Sequence, residues 1–332
     1  MLAVLTILFI GSALLAWAAT GAAYAAMQRR NIVAAVNERS HHTTPVTLGG
    51  GWGVIAPVLL ALALLVVFTP HAPTALPLAG AMLLLVAVSW VDDLGNVSAL
   101  LRFGVQIVAV AIGYQALPEG QILQGLVPPW LETVLVAVGW LWFINLYNFM
   151  DGIDGIAGVE TFSIGAGIVA IALLVLPLDG MTPVLAAAVC GAAVGFLKWN
   201  WHPARIFMGD VGSIPLGFLL GFLLLSVAAQ GYLVAALILP LYYLVDATYT
   251  LLRRAARGQK FWQAHREHFY QIACGGPGRD HDRVVIQIGI LNMGLVVCAA
   301  AALNIGPAML AVALALVILL CVRFQQLSQR TP

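Results

Sequence analysis

Long apolar segments recur along almost the whole chain, and they restrict its fold more than any other feature. A helix that crosses a bilayer needs about 20 mostly apolar residues, within a range of about 17 to 25. Because lipid offers no partners for backbone polar groups, such segments predict helices. About eleven segments come close to that length: 2–27, 51–68, 78–91, 100–117, 130–149, 155–177, 182–199, 211–229, 231–253, 284–302 and 305–323.

The sequence therefore predicts an all-α, polytopic membrane bundle of about ten or eleven transmembrane helices, in which segment 78–91 is short for a full crossing. Hydrophobic residues make up 62% of the 332 residues and charged residues only 9%, whereas a soluble domain carries about 25% charged residues. No polar block divides the chain, so we expect residues 1–332 to form a single integral membrane domain. The net charge of +1 does not indicate nucleic-acid binding. The four cysteines lack metal-binding spacing, and we expect them to pack as small apolar residues.

The basic residues indicate an orientation. If the N-terminus faces outward and the spans alternate, all fifteen Lys and Arg residues fall in inward loops or at the inward ends of helices. This distribution is the one that the positive-inside rule favours. No basic residue precedes the first apolar run, which is also too long for a signal peptide, so we expect a retained first helix.

Polar residues gather on the side that this orientation makes cytoplasmic. Polar groups are costly near lipid and tend to mark function. The sequence therefore predicts one active site at the cytoplasmic interface. Five stretches contribute to it: HHTTPVTLGGG (41–51), VDDLGN (91–96), NLYNFMDGIDG (145–155), WHPARIFMGDVGS (201–213) and AHREHFYQ (264–271).

The acids of these stretches are candidates for binding phosphate through a metal ion. Asp92 and Asp93 end one apolar segment, and Asp210 precedes another. Magnesium prefers a few carboxylates together with water and substrate oxygens, and a helix N-terminus attracts phosphate. Two alternatives stay open: Asp92 and Asp93 could be an interfacial stop signal, and Asp210 could be a helix N-cap.

Asn145, Asn148 and Asp151 are spaced by three, which places them along one face of a helix end. They must face protein, water or a ligand rather than lipid. Glycines after Asp151 and Asp154 allow close approach of a ligand to the backbone. The sequence predicts a substrate pocket here, with a polar turn between helices as the alternative.

His265 and His268 share a face if their segment is helical, with Arg266 to one side. Imidazoles and a guanidinium suit a diphosphate better than they suit zinc in this setting. The alternative is a basic patch on anionic lipid headgroups.

Taken in order, TPVTLGGG, VDDLGN, NLYNFMDGIDGIAG, FMGDVGS and HREHFYQ resemble the motifs of the polyprenyl-phosphate N-acetylhexosamine-1-phosphate transferases, glycosyltransferase family 4. The resemblance implies transfer of a sugar 1-phosphate from a UDP-N-acetylsugar to undecaprenyl phosphate, with release of UMP, in the bacterial inner membrane. It also implies Mg²⁺, or Mn²⁺ in its place, as cofactor. The bilayer and the two substrates are the implied partners, and a homodimer stays open.

Within that family, HREHFYQ is most similar to the branch that initiates O-antigen or related polysaccharides. The peptidoglycan branch carries consecutive histidines where this chain has His265-Arg266-Glu267-His268. Leu48 also departs from the family, which usually carries a basic residue or methionine before these glycines. The sequence does not reveal which N-acetylsugar is used.

The resemblance also implies roles for single residues. Asp210 would bind the metal, with Asp93 acting through it, and Asp92 would position the lipid phosphate, either directly or as a base. A phosphate monoester loses its second proton near about pH 6, so a strong base is not required. By the same resemblance, Asn148, Asp151 and Asp154 would line the nucleotide and metal pocket, and it stays open whether Asp151 and Asp154 touch the metal or the nucleotide. His265, Arg266 and His268 would contact the diphosphate or sugar.

Two other classes of protein fit the sequence less well than the transferase does. An intramembrane aspartyl protease could use Asp210 and Asp246, but Phe207 stands where that class expects glycine. A transporter would carry charges near the midplane and often an internal repeat. The acids here gather at one side instead, which favours the transferase.

Overall fold

The computed structural model describes residues 1–34, 45–95, 97–174, 178, 180–259, 265–275 and 280–330, the side chains of 328–330 excepted. Positions 41–44, Asn96 and Ala264 of the predicted polar stretches lie outside these residues. The helices in chain order are α1 (Leu2–Arg29), α2 (Gly51–Phe68), α3 (Ala72–Leu94), α4 (Ala99–Tyr114), α5 (Pro129–Met150), α6 (Ile156–Leu174), α7 (Met181–Asn200), α8 (Asp210–Val227), α9 (Leu233–Ile238), α10 (Leu241–Ala256), α11 (Phe269–Ala273), α12 (His281–Ile305) and α13 (Ala308–Arg330).

The prediction of an all-α, multi-pass membrane bundle is confirmed. Among the described residues, nine helical stretches are long and apolar enough to cross a bilayer, and α4 is a shorter apolar helix. The segment expected at 78–91 is part of the longer helix α3, which has 23 residues and therefore the length of a full crossing.

The segment expected at 231–253 is not one continuous helix. Gly231 has a φ of 98° inside a short π-helical turn, Ala228–Tyr232, that follows α8. The amide nitrogen of Gln124, in the α4–α5 connection, donates to the Gly231 carbonyl. The chain reverses here, and a second interruption around Pro240 separates α9 from α10. Glycine and proline both weaken a helix interior, which an apolar-run count does not register.

Helix α8 lies at the centre of the bundle, and nearly all of its residues are buried. Trp140 of α5 stacks on Phe218 with ring centroids 4.9 Å apart, and its indole N–H donates to the Phe218 carbonyl. A Cβ on Gly221 would lie 2.5 Å from the Trp140 ring, so glycine is required for this approach. Because lipid is as apolar as leucine, such close packing of small residues stabilises helix pairs in membranes. Packing on α5 therefore fixes where α8 begins.

A small sheet joins the early polar stretch to the start of α8. Strand β1 (Val33–Ala34) pairs antiparallel with β2 (Val46–Leu48), which pairs parallel with β3 (Ile206–Phe207). Beyond β2, the backbone N–H groups of Gly50 and Gly51 donate to the carbonyls of Phe207 and Met208. The sheet lies at the end of the bundle where α3, α5 and α10 end and α8 and α12 begin. We call this the polar end.

Candidate active site

Asp93 of α3 caps the N-terminus of α8. Its Oδ1 accepts the backbone N–H of Asp210 at 2.9 Å, and its Oδ2 accepts that of Val211 at 3.0 Å. Gly209 occupies the cap position of α8 with a φ of 76°, and a Cβ there would lie 2.7 Å from Asp93 Oδ2. The alternative of Asp210 as N-cap is therefore not what the structure has. A carboxylate from a different helix fills that role and fixes the Asp210 backbone.

The Asp210 carboxylate meets an amide on one side and a guanidinium on the other. Asn148 Nδ2 donates to Asp210 Oδ1 at 2.9 Å and to Ser213 Oγ at 2.8 Å. Arg102 Nη1 lies 2.6 Å from Asp92 Oδ2 and 3.4 Å from Asp210 Oδ2. One cation thus bridges Asp92, in the last turn of α3, and Asp210, at the start of α8.

Two cavities meet at Asp210. The first, the acidic cavity, has a volume of about 320 Å³ and is lined by Asn148, Asp151, Asp154, Asp210, Gln271, His281 and eight further residues. The second, the arginine cavity, has a volume of about 250 Å³ and is lined by Arg102, Gln106, Asn145, Asn148, Asp210 and eight mainly apolar residues. Asn148 and Asp210 belong to both walls, so a group on either side can reach the same carboxylate.

Asn145, Asn148 and Asp151, the three residues that are spaced by three along α5 and its end, do not contact one shared partner. Asn145 faces the arginine cavity, where its amide donates to Gln106 Oε1 at 2.7 Å. Asp151 directly follows α5 and lines the acidic cavity. Burial, and then the negative charges of Asp210, Asp154 and Asp93, raise the pKa of Asp151 to about 7. A cation in the acidic cavity would relieve this repulsion.

Asp154 lies with two histidines at the far side of the acidic cavity. Its Oδ2 is 2.7 Å from His202 Nδ1 and 3.5 Å from His281 Nδ1, and it accepts the backbone N–H of Ala204. Burial alone would raise the pKa of Asp154, but the hydrogen bonds from His281 and His202 outweigh it and hold the pKa below its usual range. This buried Asp/His/His cluster could hold a metal ion.

Residues 75–228 match the model of glycosyl transferase family 4. Over these residues the chain is similar to the members of this family. Its members are polyprenyl-phosphate sugar-phosphate transferases in general, so the match favours a transferase over a transporter or an aspartyl protease. The matched segment is just under half of the chain and includes Asp92, Asp93, Asn148 and Asp210.

The histidine segment lies beyond the family 4 match. Residues 265–268 form a loop rather than the helix that the shared face would require, and α11 begins at Phe269. His265 nevertheless stacks on His268 with ring centroids 4.8 Å apart. Burial, then the neighbouring His268 and Arg254, lower the pKa of His265 to about 4. The imidazole of His265 is therefore neutral at physiological pH.

An acidic partner for this loop comes from α10. Asp246 Oδ1 lies 3.1 Å from His268 Nδ1, and Glu267 pairs with Arg254. Of the residues in this stretch, Gln271 lines the acidic cavity, whereas the described walls of the two cavities do not include His265, Arg266 or His268.

Sequence reasoning missed two residues of this candidate site, Arg102 and His281. In the sequence, Arg102 contributes only to the distribution of basic residues that indicates the membrane orientation. His281 lies outside the five polar stretches. Arg102 follows the N-cap Ser98 by one turn, and a basic residue at the polar start of an apolar helix was an available signal. His281 had no comparable signal, because its partners lie 79 and 127 positions away in the chain.

Proposed function

We propose that this protein transfers an N-acetylhexosamine-1-phosphate from a UDP-sugar to a polyprenyl phosphate such as undecaprenyl phosphate. UMP leaves, and the lipid-linked diphosphate sugar that remains starts a cell-envelope polysaccharide. The observation that carries the proposal is the shared wall of the two cavities. The polar acidic cavity suits the water-soluble donor, and the arginine cavity, with its apolar lining, suits the lipid phosphate. Asp210 and Asn148 lie where the two would meet.

The oxygen donors at this wall suit a hard divalent cation. The carboxylates of Asp92 and Asp210 already converge on one positive charge, that of Arg102. Magnesium favours such carboxylates and keeps places for water and phosphate oxygens. We assign it, or manganese, to Asp210 and Asp93, since each Asp93 oxygen retains a second lone pair beside its backbone donor. When bound, the ion neutralises charge on the phosphate oxygens.

The side chains at the wall position the reactants. The lipid phosphate has a second pKa near about 6, so at neutral pH it is mostly a dianion and already nucleophilic. Asp92 orients it, either directly or as a base, and Arg102 next to Asp92 supplies a cation for its oxygens. Asn148 holds the Asp210 carboxylate in place through Nδ2. Catalysis of phosphoryl transfer rests mainly on such positioning and charge neutralisation.

The donor half of the site lies in the acidic cavity. Asp151 and Asp154 contact the nucleotide, with Asn145 on the side of the arginine cavity. His265, Arg266 and His268 contact the diphosphate or sugar once the donor is bound. Because His265 is neutral at physiological pH, it acts there by hydrogen bonding rather than by charge.

The polar end faces the cytoplasm in this proposal, with the N-terminus outside, in the plasma membrane of a bacterium. The positive-inside distribution of Lys and Arg supports this orientation. The HREHFYQ motif supports a role in O-antigen or related polysaccharide synthesis rather than in peptidoglycan. The whole of residues 1–332 then acts as one transferase domain.

A donor panel tests the function. The purified protein is given magnesium, undecaprenyl phosphate and one of several UDP-N-acetylsugars labelled in the sugar. We expect label in extractable lipid with one donor, matched by UMP release, and no transfer by Asp210→Asn. Absence of transfer with every donor, or near-normal transfer by Asp210→Asn in magnesium, contradicts the proposal.

A further inference from the structure

Three metal-binding side chains converge at the polar end from three separate segments. Asp154 belongs to the turn between α5 and α6, His202 to the connection before β3, and His281 is the first residue of α12. One ligand atom from each lies within 4.8 Å of the other two. In the described part of the chain, this is the one group of three His, Cys, Asp or Glu side chains that meets this condition.

The cluster is buried yet reachable from the acidic cavity. The side chain of Asp154 is 8% exposed, that of His281 is 2% exposed and that of His202 is 24% exposed. Asp154 and His281 both line the acidic cavity, which gives a small ligand a way in and leaves a side open for water. Transition metals in catalytic proteins commonly have three protein ligands and one open position.

The spacing of the ligand atoms needs little change to take a tetrahedral ion. Zinc at about 2.0–2.1 Å from each ligand requires ligand atoms about 3.3 Å apart. The distance from Asp154 Oδ2 to His281 Nδ1 is 3.5 Å, and that to His202 Nδ1 is 2.7 Å. Both distances from Asp154 lie within a fraction of an ångström of that value, and all three ligand atoms lie within 4.8 Å of one another.

The backbone also directs His281 towards the other two ligands. Asp280, immediately before it, has a φ of 52°, the left-handed conformation that residues other than glycine rarely adopt. Such conformations persist where surrounding structure requires them and are frequent at functional sites. The rings of His281 and His202 lie with their centroids 4.9 Å apart and their planes tilted by 57°.

We infer that Asp154, His202 and His281 form a binding site for zinc or a similar transition metal, separate from the oxygen donors proposed for magnesium. Two imidazoles and one carboxylate favour such a metal, whereas magnesium prefers oxygens alone. The bound ion ties the start of α12 to the turn after α5 and so shapes the wall of the acidic cavity. A network of hydrogen bonds without any metal is the competing account.

Metal binding is measured on the full-length purified protein, with millimolar magnesium present to occupy oxygen sites. After removal of loosely bound metal, we expect about one equivalent of zinc to remain. Cobalt used as a replacement probe gives visible absorption of a four- or five-coordinate ion, and X-ray absorption shows imidazole scattering. A cobalt spectrum of an octahedral oxygen-only ion, without imidazole scattering, overturns the inference from the wild-type protein alone.

Variants assign the ligands. His202→Gln and His281→Gln are expected to bind zinc at least about tenfold more weakly, whereas His71→Gln, at the opposite end of α3, binds it as the wild type does. Equal zinc binding by all four proteins overturns the inference. These experiments measure bound metal and not UMP release. A protein that binds no zinc could still be the proposed transferase, and a protein without transferase activity could still bind zinc.

Discussion

Asp246 and His268 lie 22 residues apart in the chain, and their Oδ1 and Nδ1 atoms are 3.1 Å apart inside the protein. The same carboxylate accepts the backbone N–H groups of Phe269 and Tyr270 and the hydroxyl groups of Tyr242 and Thr250. Asp246 is fully buried. One carboxylate thus fixes the histidine loop, and the start of α11 with it, to α10.

Replacing Asp246 with asparagine is expected to release this loop. The amide lacks the charge and turns one acceptor into a donor that faces other donors, and breaking a buried charged network costs about 3–5 kcal/mol. We expect a lower unfolding temperature together with a fall in transfer of at least about tenfold. Both are measured on protein in the same detergent. The control Glu119→Gln changes an exposed acid of the α4–α5 connection, and a comparable loss in it would argue against the anchoring role.

Replacing Gly209 with alanine tests the cap that Asp93 places on α8. The new Cβ would lie 2.7 Å from Asp93 Oδ2, at a φ of 76° that L residues rarely adopt. We expect destabilisation of about 1–3 kcal/mol and loss of transfer, because Asp210 is the next residue. Gly80→Ala in α3 is the matched control, since nothing lies within 4 Å of its Cβ. It should be neutral or stabilising by about 0.5–1 kcal/mol.

The raised pKa of Asp151 predicts a pH dependence of stability. The pKa of its carboxyl is about 7 in the folded protein and has the ordinary value of 3.8 in the unfolded chain. The folded state therefore binds more protons between these values, so stability falls as the pH rises from about 4 to 7 and then levels off. Thermal melts without divalent cations should show this decline in the wild type and a shallower one in Asp151→Asn. Identical slopes for the two proteins would contradict the assignment.

Removing the guanidinium between Asp92 and Asp210 is expected to leave two carboxylates facing each other. Arg102→Ala should lower transfer by at least about tenfold, since a cation near the phosphates is lost. It should also strengthen magnesium binding, because a competing positive charge has gone. Magnesium titrations of activity measure both effects. Arg30→Ala, an exposed base after α1, is the control, and an unchanged magnesium requirement in Arg102→Ala would refute the bridging role.

The apolar runs and their polar ends could be predicted from the sequence, because both are local patterns. The helical type of the long segments follows from lipid's demand for internal hydrogen bonding, and the positions of Asp93 and Asp210 at helix ends follow from the runs themselves. The count of about ten or eleven spans exceeds the nine candidate spans among the described residues. The partners of these acids could not be predicted. The backbone N–H of Asp210 meets Asp93 across 117 positions, and Arg102 reaches Asp210 across 108. Such pairs form only when α3, α4 and α8 pack together, and this packing cannot be predicted from any single stretch of the sequence.

The reversal of the chain at Gly231 has a mechanical consequence. Asp210 stands at the start of α8, while Asp246, which secures the histidine loop, stands on α10. Helical hydrogen bonding is not continuous between the two acids, because the turn at Gly231 and the interruption at Pro240 lie between them. The Asp210 carboxylate and the carboxylate that secures the histidine loop are thus carried by two separate helices, so no continuous helix fixes the distance between the two halves of the proposed site.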